Sequence, residues 1–295
     1  MEVSVQESRK GIISRRAFLK GGGAALVGFP LYAAEVSRHE ISIERHTIRL
    51  NRLPDAFHGL RIIQLSDFHY AEFTEPYFIR DVVDHVNRLR PDMVLFSGDF
   101  VTDGSLFSNA RTQQFAYRCA EILDKIECPL RYAVLGNHDS TFAEPAVTDA
   151  LKQHKITLLN NLYEPLERDG RRLWIGGTGD ALYKRMHLND AIPPASRRDN
   201  EPVLLMVHEP DVLPLVARRN VDLMLSGHTH GGQVRFPFLP PMHLPPLGRN
   251  YVEGLFHLGP TQLFVTRGVG TVDLPFRFNC PPEIALLTLE AGSGE

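Results

Sequence analysis

Leu60-Arg61-Ile62-Ile63-Gln64-Leu65-Ser66-Asp67-Phe68-His69 joins a strand-like apolar run to two groups with metal-binding chemistry. The aliphatic residues Leu60, Ile62, Ile63 and Leu65 lead directly into a carboxylate and an imidazole two positions apart. The same figure recurs along the chain. Residues 93–96 lead into Ser97-Gly98-Asp99, and 132–135 into Gly136-Asn137-His138-Asp139. Residues 203–207 lead into His208-Glu209, and 221–225 into Ser226-Gly227-His228-Thr229-His230. Each run has the length and aliphatic content of a buried strand.

Helix patterns lie between these runs. Over 76–90, Phe78, Ile79, Val82, Val83, Val86 and Leu89 fall on one helical face. Residues 110–126 and 212–219 read similarly. Strands alternating with helices predict an α/β fold. In such folds the site lies beyond the carboxyl ends of the strands, so the five motifs are expected at one rim. From Trp174 onward, 172–175, 233–236, 263–266 and 284–289 read as more hairpin-like strands. They predict a second sheet, partly antiparallel, packed on the first.

Asp67, His69, Asp99, Asn137, His208, His228 and His230 offer oxygen and nitrogen donors without thiolate. That set suits Mn, Fe or Zn. Seven donors exceed one tetrahedral ion but fit two ions sharing a bridging carboxylate. Two adjacent ions can hold an attacking hydroxide and clamp a phosphoryl group. Gly98, Gly136 and Gly227 permit the sharp turns that aim such side chains. A lone histidine is usually a packed core residue, but five runs ending alike reverse that reading. His39, His46, His58, His85, His154, His187 and His257 keep the ordinary one.

D-x-H, G-D, G-N-H-D, a single H and G-H-x-H, in this order from Asp67 to His230, resemble the calcineurin-like metallophosphoesterase family. Residues 227–233 (Gly-His-Thr-His-Gly-Gly-Gln) and 278–284 (Phe-Asn-Cys-Pro-Pro-Glu-Ile) resemble its exported bacterial phosphodiesterase branch. That branch includes enzymes similar to UDP-2,3-diacylglucosamine pyrophosphatase. The resemblance implies a four-layer α/β/β/α sandwich. It implies Asp67, His69 and His230 on one metal, Asn137, His208 and His228 on the other, and Asp99 on both. His138 is then no ligand but the acid that protonates the leaving oxygen, which suits an imidazole near neutral pH.

The implied substrate is a phosphodiester or pyrophosphate of an envelope or lipid-linked compound. A broad phosphomonoesterase is the alternative. A metal-stabilised binding protein without turnover is disfavoured by His138, which binding alone does not need. The sequence departs from the family where several relatives place an orienting Asp three residues after the bridging one. Thr102 stands there, and the carboxylate follows at Asp103, which either orients His138 or is a solvated turn residue. Arg267 is a candidate phosphate contact, with a structural role as the alternative. The Pro-rich stretch 236–247 reads as a loop. It is expected either to form an apolar lip beside the metals or to pack on the protein itself.

At the N-terminus, Ser14-Arg15-Arg16-Ala17-Phe18-Leu19-Lys20 precedes an apolar, glycine-rich run over 21–34. A basic stretch before a short apolar one is a secretory pattern, and this one resembles a twin-arginine signal. The run is shorter than the roughly 20 residues that span hydrocarbon. Gly21, Gly22 and Gly23 argue against an amphipathic helix. Cleavage after Ala33 or Ala34 would leave Leu31 or Tyr32 at the third position back, where small residues are usual. The segment is therefore either a cleaved signal with a poor site or one that stays on as an anchor. The expected organisation is a signal or anchor over 1–36 and a catalytic domain over 37–295. The expected destination, through the twin-arginine export machinery, is the periplasm or the outer face of the cytoplasmic membrane. A net charge of -3 over 295 residues gives no reason to expect a nucleic-acid partner. Cys119, Cys128 and Cys280 form no C-x-x-C pair and read as buried thiols.

Overall fold

The computed structural model describes residues 32–70, 73–102, 109–195, 200–241 and 243–292. Asp103 and the Arg15-Arg16 pair lie outside them. Among the described residues twelve strands form two six-stranded sheets. In chain order they are β1 (Ser42–Leu50), β2 (Arg61–Leu65), β3 (Met93–Phe96), β4 (Arg131–Ala133), β5 (Thr157–Leu158), β6 (Leu162–Arg168), β7 (Arg171–Gly177), β8 (Val203–Met206), β9 (Leu223–Ser226), β10 (Gly254–Leu258), β11 (Thr261–Val265) and β12 (Glu283–Ala291). The first sheet runs β1-β12-β2-β3-β4-β5 and the second β10-β11-β9-β8-β7-β6. β2 to β5 are mutually parallel, as are β7, β8, β9 and β11. Antiparallel pairing enters at β12 with β2, β6 with β7, and β10 with β11.

Alternation along the strands builds the layers, because successive side chains point to opposite faces. In β2, Ile62 turns toward the second sheet and Ile63 toward the helices. In β8 and β9, Leu204 and Leu223 join the inter-sheet core, while Leu205 and Met224 pack on the outer side. Over the first sheet lie α1 (Pro76–Leu89), α2 (Asn109–Leu123) and α3 (Glu144–Gln153). Short turns, including α4 (Leu188–Ala191) and α5 (Leu213–Val216), cover the second. The order of layers is thus helix, sheet, sheet, helix. α1 opens on Pro76, whose missing N–H costs nothing in a first turn. It buries Phe78, Ile79, Val82, Val83 and Val86, each contributing about 1.5–3 kcal/mol. Arg90 closes it in the left-handed conformation at φ 47°.

Two strand expectations need correction. Residues 233–236 form no strand; Val234 makes only an isolated bridge to Phe278. Pro237 cannot donate to a ladder, and the chain turns away there. The 284–289 run is a strand, but β12 sits in the first sheet between β1 and β2 rather than in the second. All three cysteines are free and buried.

Candidate metal centre

β2, β3 and β4 end beside β8 and β9, and the residues following these five strands converge. Three groups of possible ligands lie in the basin: Asp67, His69 and His230; His69, Asp99 and His138; Asp99, His208 and His228. Within each group the ligand atoms lie within 4.8 Å of one another. Asp99 Oδ2 is 3.0 Å from His208 Nε2 and 3.7 Å from His69 Nε2, so one carboxylate faces both halves of the basin. His69 Nε2 and His230 Nε2 face each other at 3.1 Å, and His230 Nε2 is 3.5 Å from Asp67 Oδ1. Asn137 and His138 line the cavity above them.

The backbone is shaped to this end. Asp67, His69, Asp99, His228 and His230 all hold positive φ, between 44° and 71°. Such conformations cost free energy in non-glycine residues and cluster at functional sites. Gly98 takes φ 101°, and a Cβ there would meet the Gly136 backbone and the His208 ring. A Cβ on Gly227 would collide with the Ser66 and Asp67 side chains. Asp139 ties the loops together by accepting from the amides of Phe100, Val101 and Gly136.

Electrostatics prepare lone pairs. Burial, then the neighbouring His138, pushes His69 down to about 3. Burial and His208 push His228 down to about 4, and burial and His69 take His230 well below its ordinary value. These imidazoles stay neutral at physiological pH, as metal ligands must. Burial raises Asp67 to about 6, with Asp99 adding to it against His208. Burial also works against ionisation of Asp99, but His208 and His138 outweigh it and hold its carboxyl well below the usual range. His208 moves the other way: burial lowers it, but Asp99 beside it outweighs burial and holds it well above its ordinary value.

The donor set fits divalent ions. Asn137 Oδ1 and His230 Nδ1 are buried with no hydrogen-bond partner among the described residues. A buried amide oxygen left so is costly unless something else accepts its lone pairs. Thr102 Oγ1 sits 3.1 Å from His69 Nδ1, and the Ser97 carbonyl 2.6 Å from His208 Nδ1. Both contacts leave Nε2 facing the basin, the usual arrangement behind a ligating histidine.

Other expected residues lie elsewhere. Arg267 does not line the cavity; its guanidinium is held by Glu44, Glu253 and Glu283, the structural alternative. Glu209, adjacent to His208, turns away to accept from the amides of Ala181 and Leu182. The cavity above the basin has a volume of about 640 Å³. Its outer wall is apolar, with Val234, Pro245, Val272, Leu274, Phe276 and Phe278. Phe238 and Leu239 stand outside it, and among the described residues of the Pro-rich stretch His243 and Pro245 line it. The 272–278 segment was not legible as a wall, nor was Ala33, which lines the mouth. Arg277 sets that segment: fully buried, it donates to the carbonyls of Arg267, Gly268, Gly270 and Cys280.

Histidines and aspartates gathered at the carboxyl ends of strands from two facing sheets, with an open cavity above, define a metal-dependent hydrolase. Residues 60–232 match the Calcineurin-like phosphoesterase family, and the chain belongs to it. It is 33% identical to the Bacillus subtilis protein described as uncharacterized metallophosphoesterase YkuE, over 95% of this chain and 98% of that one. It is 32% identical to Escherichia coli phosphodiesterase YaeI, over 94% and 100%. The UDP-2,3-diacylglucosamine pyrophosphatase LpxG of Chlamydia muridarum is 27% identical over 80% of this chain and 86% of its own. Among solved structures, a Haemophilus influenzae NAD nucleotidase shares the fold with a TM-score of 0.51 and 16% identity, over 72% of this chain and 45% of that one. The family uses a pair of divalent metal ions, and the chain is a metallophosphoesterase with clusters that could hold them.

Proposed function

We propose that this chain hydrolyses a phosphodiester or pyrophosphate carrying a lipid tail, at the outer face of the cytoplasmic membrane. The observation that carries the reading is the cavity itself, with a polar floor of Asp99, Asn137, His138 and His230 under an apolar wall. A charged phosphoryl group fits the floor and an acyl chain the wall, whose burial is worth about 0.8 kcal/mol per CH₂. Relatives described as a phosphodiesterase and as a diacylglucosamine pyrophosphatase agree with it.

Asp67, His69 and His230 would hold one ion, Asn137, His208 and His228 the other, and Asp99 both, with Mn, Fe or Zn as the fitting metals. When bound, such a pair supplies a nucleophilic hydroxide at neutral pH and positive charge for the phosphoryl oxygens. His138 is half-buried on the cavity wall, with its ring edge-to-face on His69 at 4.8 Å. Its backbone N–H donates to Asp99 Oδ1 at 2.9 Å, which fixes the residue relative to the floor. From there it delivers a proton to the departing oxygen. Thr102, at the position of the family's orienting carboxylate, has its hydroxyl 3.1 Å from His69 Nδ1. Asp103 keeps its proposed role of orienting His138.

Delivery to the envelope follows from the Arg15-Arg16 signal. Among the described residues no helix is long and apolar enough to cross a membrane. Replacing Arg15 and Arg16 by Lys is expected to leave the protein in the cytoplasm, and unchanged localisation would count against export by this route. The substrate reading is tested with bis-p-nitrophenyl phosphate, p-nitrophenyl phosphate and a diacyl phosphodiester, each with and without Mn. Metal-dependent turnover is expected, greatest on the diacyl ester. Preference for the monoester would favour the broad phosphomonoesterase, and no turnover on any would remove the enzyme reading.

A further inference from the structure

Two loops run side by side at the cavity mouth. The Arg235 amide donates to the Phe278 carbonyl at 2.9 Å, and the Phe278 amide to the Gln233 carbonyl at 3.0 Å. The Gln233 side chain donates to the carbonyls of Val272 and Leu274, both at 3.1 Å. The first loop then makes a turn in which the Leu239 amide donates to the Phe236 carbonyl, with Phe238 at φ 68°. The turn carries Phe238 and Leu239 outward, 105% and 61% exposed. Leu274, on the second loop, is 53% exposed and also lines the cavity.

Large apolar side chains so fully presented to water are unfavourable unless something covers them. A loop that needed only to be soluble would not present a Phe-Leu pair at its apex. Phe236, in the same turn, packs on Phe278 at 5.6 Å, so the base of the turn is anchored while its apex is free. The chain's own N-terminal segment reaches the same rim. Ala33 lines the mouth, its carbonyl accepting from the Arg277 amide at 3.1 Å. Arg38 and His39 then pin the following residues to Glu75. The described end of this segment, at Ala33, therefore meets the fold at this rim.

We propose that Phe238, Leu239 and Leu274 form an insertion tip that docks the cavity mouth on a lipid surface. The inference deepens the lipid-substrate reading and rests on it for its purpose, but not for its geometry. A tip beside the mouth lets a lipid headgroup reach Asp99 and His138 while its chains leave the bilayer along Val272 and Phe276. The exposed carboxylate of Asp273 next to Leu274 keeps insertion shallow, since a charge resists entry into hydrocarbon. Such docking follows the logic of interfacial anchors, in which apolar side chains enter the headgroup boundary and no segment spans.

The test uses the full chain and vesicles of phosphatidylethanolamine and phosphatidylglycerol with brominated acyl chains. Trp174 is the only tryptophan in the sequence and is buried, so the natural chain gives an emission that lipid bromine does not reach. In F238W, a blue shift and quenching on these vesicles are expected. A vesicle-bound F238W that stays unquenched would overturn the proposal, because the chain would then be held elsewhere. A blue shift without vesicles that grows with protein concentration would also overturn it, assigning the tip to a second copy of the chain. As a second measurement, Phe238→Ser with Leu239→Ser should lower kcat/KM about tenfold on a diacyl phosphodiester in vesicles and leave it unchanged in detergent micelles. Equal loss in both would overturn the tip in favour of a structural role. Quenching without hydrolysis of any lipid ester would sink the substrate reading and leave the docking intact.

Discussion

Asp67, Asp99, Asn137, His208 and His228 each follow a buried strand within a few residues, whereas Val234, Pro245, Val272, Leu274 and Phe276 come from segments outside the strands. The floor of the cavity is thus fixed by sheet hydrogen bonds and its rim by side chains reaching to backbone, above all Arg277 and Gln233. Strand ends hold their positions to a fraction of an ångström, which two metals sharing one carboxylate require. Loops tolerate exchange of side chains without loss of the scaffold. On the proposed function the floor belongs to the reaction and the rim to the choice of substrate, and variants on either side can break that division.

The largest effect is expected at Asp99, which faces both halves of the floor. Asp99→Ala should remove both ions and lower kcat/KM about a thousandfold or more on every substrate, the several kcal/mol that a metal pair supplies. Metal analysis of the purified variant is the check. Full occupancy would show that Asp99 bridges nothing. Next comes His138→Ala, with a loss of about 10²–10⁴-fold in kcat and both ions retained. A leaving group that departs without protonation, such as p-nitrophenolate, should be spared most of that loss. Equal losses on p-nitrophenyl and alkyl esters would take away the acid role.

The same division explains what the sequence disclosed. The gathering of Asp67, His69, Asp99 and the later candidate ligands was legible because each follows closely on a strand, so local pattern and chemistry coincide. The two facing sheets were legible for the same reason. The place of β12 was not, because a single apolar run does not say which sheet it joins; its antiparallel partner β2 lies more than 200 residues earlier. The rim was illegible for a different reason. Val272 to Phe278 carries no periodicity, and its position depends on Arg277, whose buried guanidinium reads in the sequence as one more surface charge. For the stretch holding Phe238 and Leu239, nearness to His230 left open a lip beside the metals or a loop packed on the protein, yet the turn throws these two outward. The exchange of Asp for Thr at 102 was visible, but the contact of its hydroxyl with His69 required the geometry.

The smallest expected effect is the sharpest test of floor against rim. Phe276 lines the cavity and is half-buried, so its ring has room to lose without emptying the core. Phe276→Ala should leave metal content and turnover of a small soluble diester within about twofold of the natural chain, since neither touches the rim. On a diacyl phosphodiester kcat/KM should fall about tenfold, less than the full transfer energy of an aromatic ring because the site is already partly wet. The loss should appear as a raised KM with kcat nearly unchanged, because tail contacts far from phosphorus hold ground state and transition state alike. It should also appear in micelles as well as in vesicles, unlike the loss at Phe238 and Leu239, since Phe276 touches the tail and not the bilayer. A matching fall on the small diester would mean that the ring supports the metal floor. An unchanged KM for the diacyl ester would mean that its tail leaves the cavity by another path.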